Sequence, residues 1–194
     1  MTPHEFKTAW TKIEDNLRTI SLATLEKFKL NQLTKFFFRI SGLPKDADPL
    51  LSFVGDTNRK NKYDSINLLT KWFDFLPADR SKYIAIGSDG CGDIIALNTE
   101  ENCVVEWLDH EDDFSARFMN SSIIHLALCL IAYSQFVAAI KKENGHEAYS
   151  EANFSDTQFE TLHAMLQSID ERSVTEGFWH TDLESLLIQR RSLT

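Results

Sequence analysis

The densest set of ionisable side chains in the sequence is DHEDD, Asp109 to Asp113. A histidine among carboxylates has two chemical uses: it can be a general base, or it can bind a metal ion together with the acids. In a hydrolase built on this stretch, His110 would be the base or ligand, and Asp109, Glu111 or Asp113 would complete the site. Five consecutive residues cannot all converge on one ion, however, and no second His/Asp cluster at ligand spacing supports them. Two other readings remain open. Asp109, Glu111, Asp112 and Asp113 can be the contact residues of an acidic loop that meets a basic partner, or they can be solvated charge.

A second candidate is YIAIGSDGCGDIIALN, Tyr83 to Asn98, with three glycines and two aspartates between Gly87 and Asp93. Phosphate-cradling loops present backbone N–H groups at the start of a helix. Here a strand follows, no Lys-Ser or Lys-Thr closes the loop, and the spacing Gly87, Gly90, Gly92 fits neither phosphate-binding fingerprint. Asp89 and Asp93 also lack the alternating oxygen ligands of a twelve-residue calcium loop. The stretch reads as a hairpin whose glycines supply positive φ.

Single residues offer less. The six histidines at 4, 110, 125, 146, 163 and 180 show no HxH or HExxH spacing. Cys129 lies one helical turn after His125, the spacing of a nucleophile beside its base, but an apolar helix around the pair predicts a buried, inert thiol. Ser121 and Ser122 suit helix capping, and no GxSxG elbow is present. Trp10, Trp72, Trp107 and Trp179 lack the basic groove that would make them stacking platforms, so they belong to the core or an interface. No catalytic residue, cofactor or metal is assigned on these grounds.

The elements around these residues follow from periodicity. Thr2, Pro3 and Glu5 form a helix start, and Phe6, Trp10, Ile13, Leu17 and Ile20 follow at helical spacing. A second helical stretch ends in LTKFFFRISGLP, with Gly42 as its left-handed stop. LLSFV and INLL suggest two short strands joined by the polar loop DTNRKNKYD. YIAI, DIIALN and CVVEWL read as a three-stranded antiparallel meander, which places DHEDD between the last clear strand and a long helix near residues 121–142. That helix would be capped by Asn120 or Ser121 and buried on more than one side. Residues 123–140 approach membrane length, but His125, Ser134 and Gln135 interrupt them, so the segment is read as a core helix and no membrane is expected. Helices near Ser155–Ser173 and Thr181–Arg190 close the chain.

A chain of 194 residues is long enough for one domain over 1–194, burying roughly 70% of its unfolded surface. Three widely spaced cysteines and an N-terminus without an apolar run after basic residues point to the cytoplasm. The net charge is −9, unevenly distributed. Residues 1–82 carry 14 Lys+Arg against 10 Asp+Glu, whereas residues 83–184 carry 4 against 19. Such an acidic second half excludes nucleic acid as a direct ligand and favours a basic protein partner.

In this order, FFFRISGLP, YIAIGSDGCGDIIALN, FMNSSIIHLALCLIAY and IDERSVTEGFW resemble the SUKH superfamily of bacterial immunity proteins, most of all its fourth group. These pieces span residues 36–179. The resemblance implies an α+β fold, a single SUKH-like domain with helices around a central, mostly antiparallel sheet. It also implies a function without catalysis: binding and neutralising a polymorphic toxin, often a nuclease or deaminase. It supplies no catalytic residue and no contact surface. The alternatives are a hydrolase using the Asp109–Asp113 loop and a regulatory protein-binding scaffold of the same fold.

Overall fold

The computed structural model describes residues 1–56 and 61–192. Helix α1 (Pro3–Trp10) starts with a reciprocal capping box, in which the Thr2 amide donates to Glu5 Oε2 at 2.7 Å and the Glu5 amide donates to Thr2 Oγ1. The expected continuation through Ile13 and Leu17 does not occur. Beyond Trp10 the indole N–H donates to Asn16 Oδ1 at 2.9 Å, and Leu17–Arg18 (β1) pairs with Leu43–Pro44 (β2). A short helix is marginal without tertiary packing, so pairing with a distant segment overrides the apolar spacing. Ile13 is left exposed while Ile20 still reaches the core. Helices α2 (Leu22–Leu25) and α3 (Gln32–Ile40) follow, capped by Ser21 and Asn31, and Gly42 at φ 65° turns the chain into β2.

The main sheet contains β3 (Asp46–Ala47), β4 (Leu51–Phe53), β5 (Asn67–Leu68), β6 (Tyr83–Ser88), β7 (Ile94–Asn98), β8 (Val104–Asp109) and β9 (Ser115–Asn120). Its order is β3-β4-β6-β7-β8-β9, with β5 also pairing β6, and every pairing is antiparallel. The strands expected in LLSFV and INLL are β4 and β5, but the second ends early and Leu69–Trp72 turns into helix α4. Part of the expected DTNRKNKYD loop, residues 57–60, lies outside the described residues. Strands β6 and β7 are buried along nearly their whole length, so both faces of the sheet centre are covered.

The meander has a fourth member that its residues conceal. In β9, SARFMN, the first half is open to solvent and only Phe118, Met119 and Asn120 are buried. No apolar run or alternation announces such a strand. DHEDD is therefore the turn of the β8–β9 hairpin and does not lead into the long helix.

Helix α5 (Ile123–Asn144) is the expected long helix, displaced by two residues. Its cap is Ser122, whose Oγ accepts from the His125 amide; Asn120 and Ser121 turn instead toward Asp170. This helix has the length and hydropathy of a membrane span, but 67% of its most apolar window is buried inside the protein. It packs against α1, α3, β8, β9 and helix α6 (Asp156–Ile169). Helix α7 (Gly177–Ser192) closes the chain and lies on β9, starting earlier than the expected Thr181. Trp10, Trp179, Tyr133, Phe6, Phe37 and Phe38 are among the largest fully buried side chains of one continuous core. The fold is α+β.

Candidate functional site

The β7–β8 register places Ile94 opposite Leu108, which brings Asp93 beside the start of the DHEDD turn. His110 Nδ1 lies 2.6 Å from Asp93 Oδ1, and the same oxygen accepts the His110 amide at 2.9 Å. The hydrogen bond to Asp93 raises the His110 pKa, helped by the negative charges of Asp93, Glu111 and Asp109. Asp93 is itself held by the preceding turn. Asp89 Oδ1 accepts the amides of Cys91, Gly92 and Asp93, each at 2.9 Å, while Asp89 Oδ2 accepts the Trp107 indole N–H at 3.1 Å. The glycine-rich stretch is thus a hairpin organised by an aspartate. Only Gly92 there has a positive φ, 101°; Gly87 is required for space, since a Cβ would sit 2.4 Å from the Ser52 carbonyl oxygen.

The four acidic residues expected as partner contacts divide into two kinds. Asp109 is half-buried and accepts from Arg117 at 3.0 Å, and the Arg117 guanidinium lies 5.3 Å from the centre of the Trp107 ring. Its carboxylate shapes the hairpin. Glu111, Asp112 and Asp113 are exposed at the tip. Beneath them Arg80 donates to the Phe114 carbonyl at 2.9 Å and to the Asp113 carbonyl at 3.0 Å. Asp113 and Phe114 take φ of 50° and 54°, a conformation disfavoured for side-chain-bearing residues, and Arg80 holds both carbonyls in it.

Among the described residues, one group offers metal-ligand atoms close together: Asp93, Asp109 and His110, within 4.8 Å of one another. Each already has a partner, and a cation here would displace Arg117 from Asp109 and His110 from Asp93. Asp93, Arg80 and Arg117 were not visible as members of this cluster from residue types. The β7–β8 register places Asp93, the β8–β9 register places Arg117, and Arg80 comes from a segment outside both pairings.

Two of the segments that carry the sequence resemblance, FMNSSIIHLALCLIAY and IDERSVTEGFW, meet at a second polar cluster, in which Asn120 and Asp170 are buried and Ser121 is exposed. Asp170 accepts from the Ser121 amide at 2.7 Å, from Ser121 Oγ at 2.9 Å and from Asn120 Nδ2 at 3.3 Å. Asn120 Oδ1 accepts the Trp179 indole N–H at 2.9 Å, and Asn120 Nδ2 reaches Cys129 Sγ. These bonds fasten the junction of β9 and α5 to the C-terminal helices. Burial pushes the Cys129 thiol up to about 12, so it stays protonated, and His125 Nδ1 faces Ser122 Oγ at 2.9 Å. The cluster is structural.

A family model described as SUKH-4 immunity protein matches residues 9–185. No curated protein and no solved structure matches this chain. The matched span runs from the end of α1 into α7 and contains both hairpins and the Asn120–Asp170 cluster. This chain belongs to the SUKH-4 immunity protein family, whose members neutralise a partner toxin.

Proposed function

We propose that this chain neutralises a basic protein toxin in the cytoplasm by covering its active or substrate-binding surface, with no catalysis of its own. The observation that carries the reading is the tip of the β8–β9 hairpin, where Glu111, Asp112 and Asp113 are exposed together on a backbone held by Arg80 and flanked by the His110–Asp93 pair. A braced loop loses little conformational entropy on binding. Its charge attracts a basic partner and accelerates encounter. A nuclease or deaminase toxin has to present a basic face to nucleic acid, which an acidic protein can occupy. Asp109 acts one step back, fixing the hairpin through Arg117.

The test is binding of a catalytically inactivated candidate toxin domain, taken from a toxin gene found next to this one. The triple variant Glu111→Gln, Asp112→Asn, Asp113→Asn should associate roughly 10-fold more slowly at low salt, and its on-rate should depend less on ionic strength. Co-expression with the active toxin should rescue growth with the wild-type chain. An unchanged on-rate in the triple variant would remove this loop from the contact.

A further inference from the structure

Beside the acidic tip lies an aromatic cluster that the fold does not finish burying. Phe114, directly after Asp113, is buried, and its ring centre lies 4.8 Å from that of Phe73 and 6.3 Å from that of Phe75. Phe73 in turn touches Phe75 at 5.9 Å and Tyr63 at 5.8 Å. Phe75 is 72% exposed, whereas Phe114 beneath it is 4% exposed. Phe75 is a knob standing on a rigid aromatic floor.

Exposed carboxylates adjoin this cluster in sequence, with Arg80 among them, its guanidinium 3.9 Å from the Asp113 carboxylate. Asp74 precedes Phe75, and Asp112 and Asp113 precede the ring on which it leans, all three being exposed. Arg80 ties the two segments together, since it lies five residues after Phe75 and donates to the Asp113 and Phe114 carbonyls. Tight interfaces share this anatomy: a pre-positioned aromatic side chain that fills a partner's pocket, ringed by polar groups that set orientation and exclude water.

We propose that Phe75 is the anchor of the toxin contact, entering an apolar cleft on the toxin whose rim carries Lys or Arg side chains that face Asp74, Asp112 and Asp113. The choice of occupant rests on charge complementarity and on the toxin-binding reading above, which it makes specific. Charge and anchor act on different steps. The acidic rim governs encounter, while the buried ring governs how long the complex lasts.

Binding kinetics with the inactivated candidate toxin domain separate the two ideas. Phe75→Ala should weaken affinity by about 30-fold or more, nearly all of it in a faster off-rate, with the on-rate and its salt dependence kept. Phe75→Trp should retain most of the affinity, and Ile188→Ala, at an exposed apolar residue on α7, should behave as wild type. Because Phe75 is on the surface, the unfolding midpoint of Phe75→Ala should match wild type. Wild-type binding with an unaltered off-rate in Phe75→Ala would overturn the anchor and leave toxin neutralisation standing. No complex with the wild-type chain would overturn both. A dimer of the isolated chain that Phe75→Ala converts to monomer would assign this surface to a second copy and also overturn the proposal.

Discussion

The Tyr133 hydroxyl donates to Asp182 Oδ2 at 2.6 Å, joining the middle of α5 to the first turns of α7 across 49 positions of sequence. Tyr149 completes the group, its hydroxyl 3.0 Å from that of Tyr133. Burial raises the Asp182 carboxyl from 3.8 to about 6, with the Tyr133 hydrogen bond opposing the shift. Both tyrosine hydroxyls are pushed upward, by burial first and then by the Asp182 charge.

Stability should consequently fall with pH on account of this one carboxyl. The folded protein keeps its proton to a higher pH than the unfolded chain, so the contribution is complete below 3.8 and is lost as the pH rises through about 6. The loss is on the order of 2–3 kcal/mol. Asp182→Asn retains an acceptor for Tyr133 and removes the charge. Urea unfolding of both proteins at several pH values between the two limits should show the decline in wild type and a flatter course in the variant. Parallel curves would mean that Asp182 ionises as an ordinary aspartate.

His110 titrates in the opposite chemical sense but gives the same direction of dependence. Its raised pKa means that the pairing with Asp93 is fully stabilising below the ordinary histidine value of 6.5 and weakens as the pH passes the folded value. Proton NMR of the His110 ring should give a midpoint above 6.5, and Asp93→Asn should move that midpoint back toward 6.5. A wild-type midpoint at or below 6.5 would count against the Asp93 contact.

The Asp170 cluster makes a prediction about stability alone. Asp170→Ala would leave the Ser121 amide, the Ser121 hydroxyl and Asn120 Nδ2 without their acceptor in a site where Asn120 is fully buried. The cost should be about 3 kcal/mol, which lowers Tm by roughly 6–12 °C for a chain of this size. Asp170→Asn, which keeps one carbonyl oxygen, should cost less. Calorimetry on the two variants checks the order.

Legibility from sequence varied with how local the cause was. The Thr2 capping box, the Gly42 stop and the long apolar α5 could all be read, because their signals lie within a few residues of the structure they produce. Where distant pairing decides, the local signal points elsewhere. Nothing near Leu17 says that it will meet Pro44 and abandon the helix, and although Ser122 suits a cap, nothing near Asn120 and Ser121 says that they will turn to Asp170 and leave the cap to it alone. The candidate site shows the same division. Its exposed acids are visible as composition, but Asp93, Arg80 and the aromatic floor under Phe75 come from segments that only the sheet and its neighbouring turns bring together.

Helix α5 has one consequence for biosynthesis. Its coat is partly made of α6, and Trp179 and Asp182 of α7 reach its Tyr133; the ribosome delivers both helices only after the apolar rod itself has been completed. Until residues 156–192 emerge, the nascent protein displays a greasy cylinder that insertion machinery and chaperones would both recognise. A frameshift or nonsense codon after Asn144 would therefore yield an insoluble or bilayer-seeking fragment, and the host would lose its shield while gaining a burden on quality control.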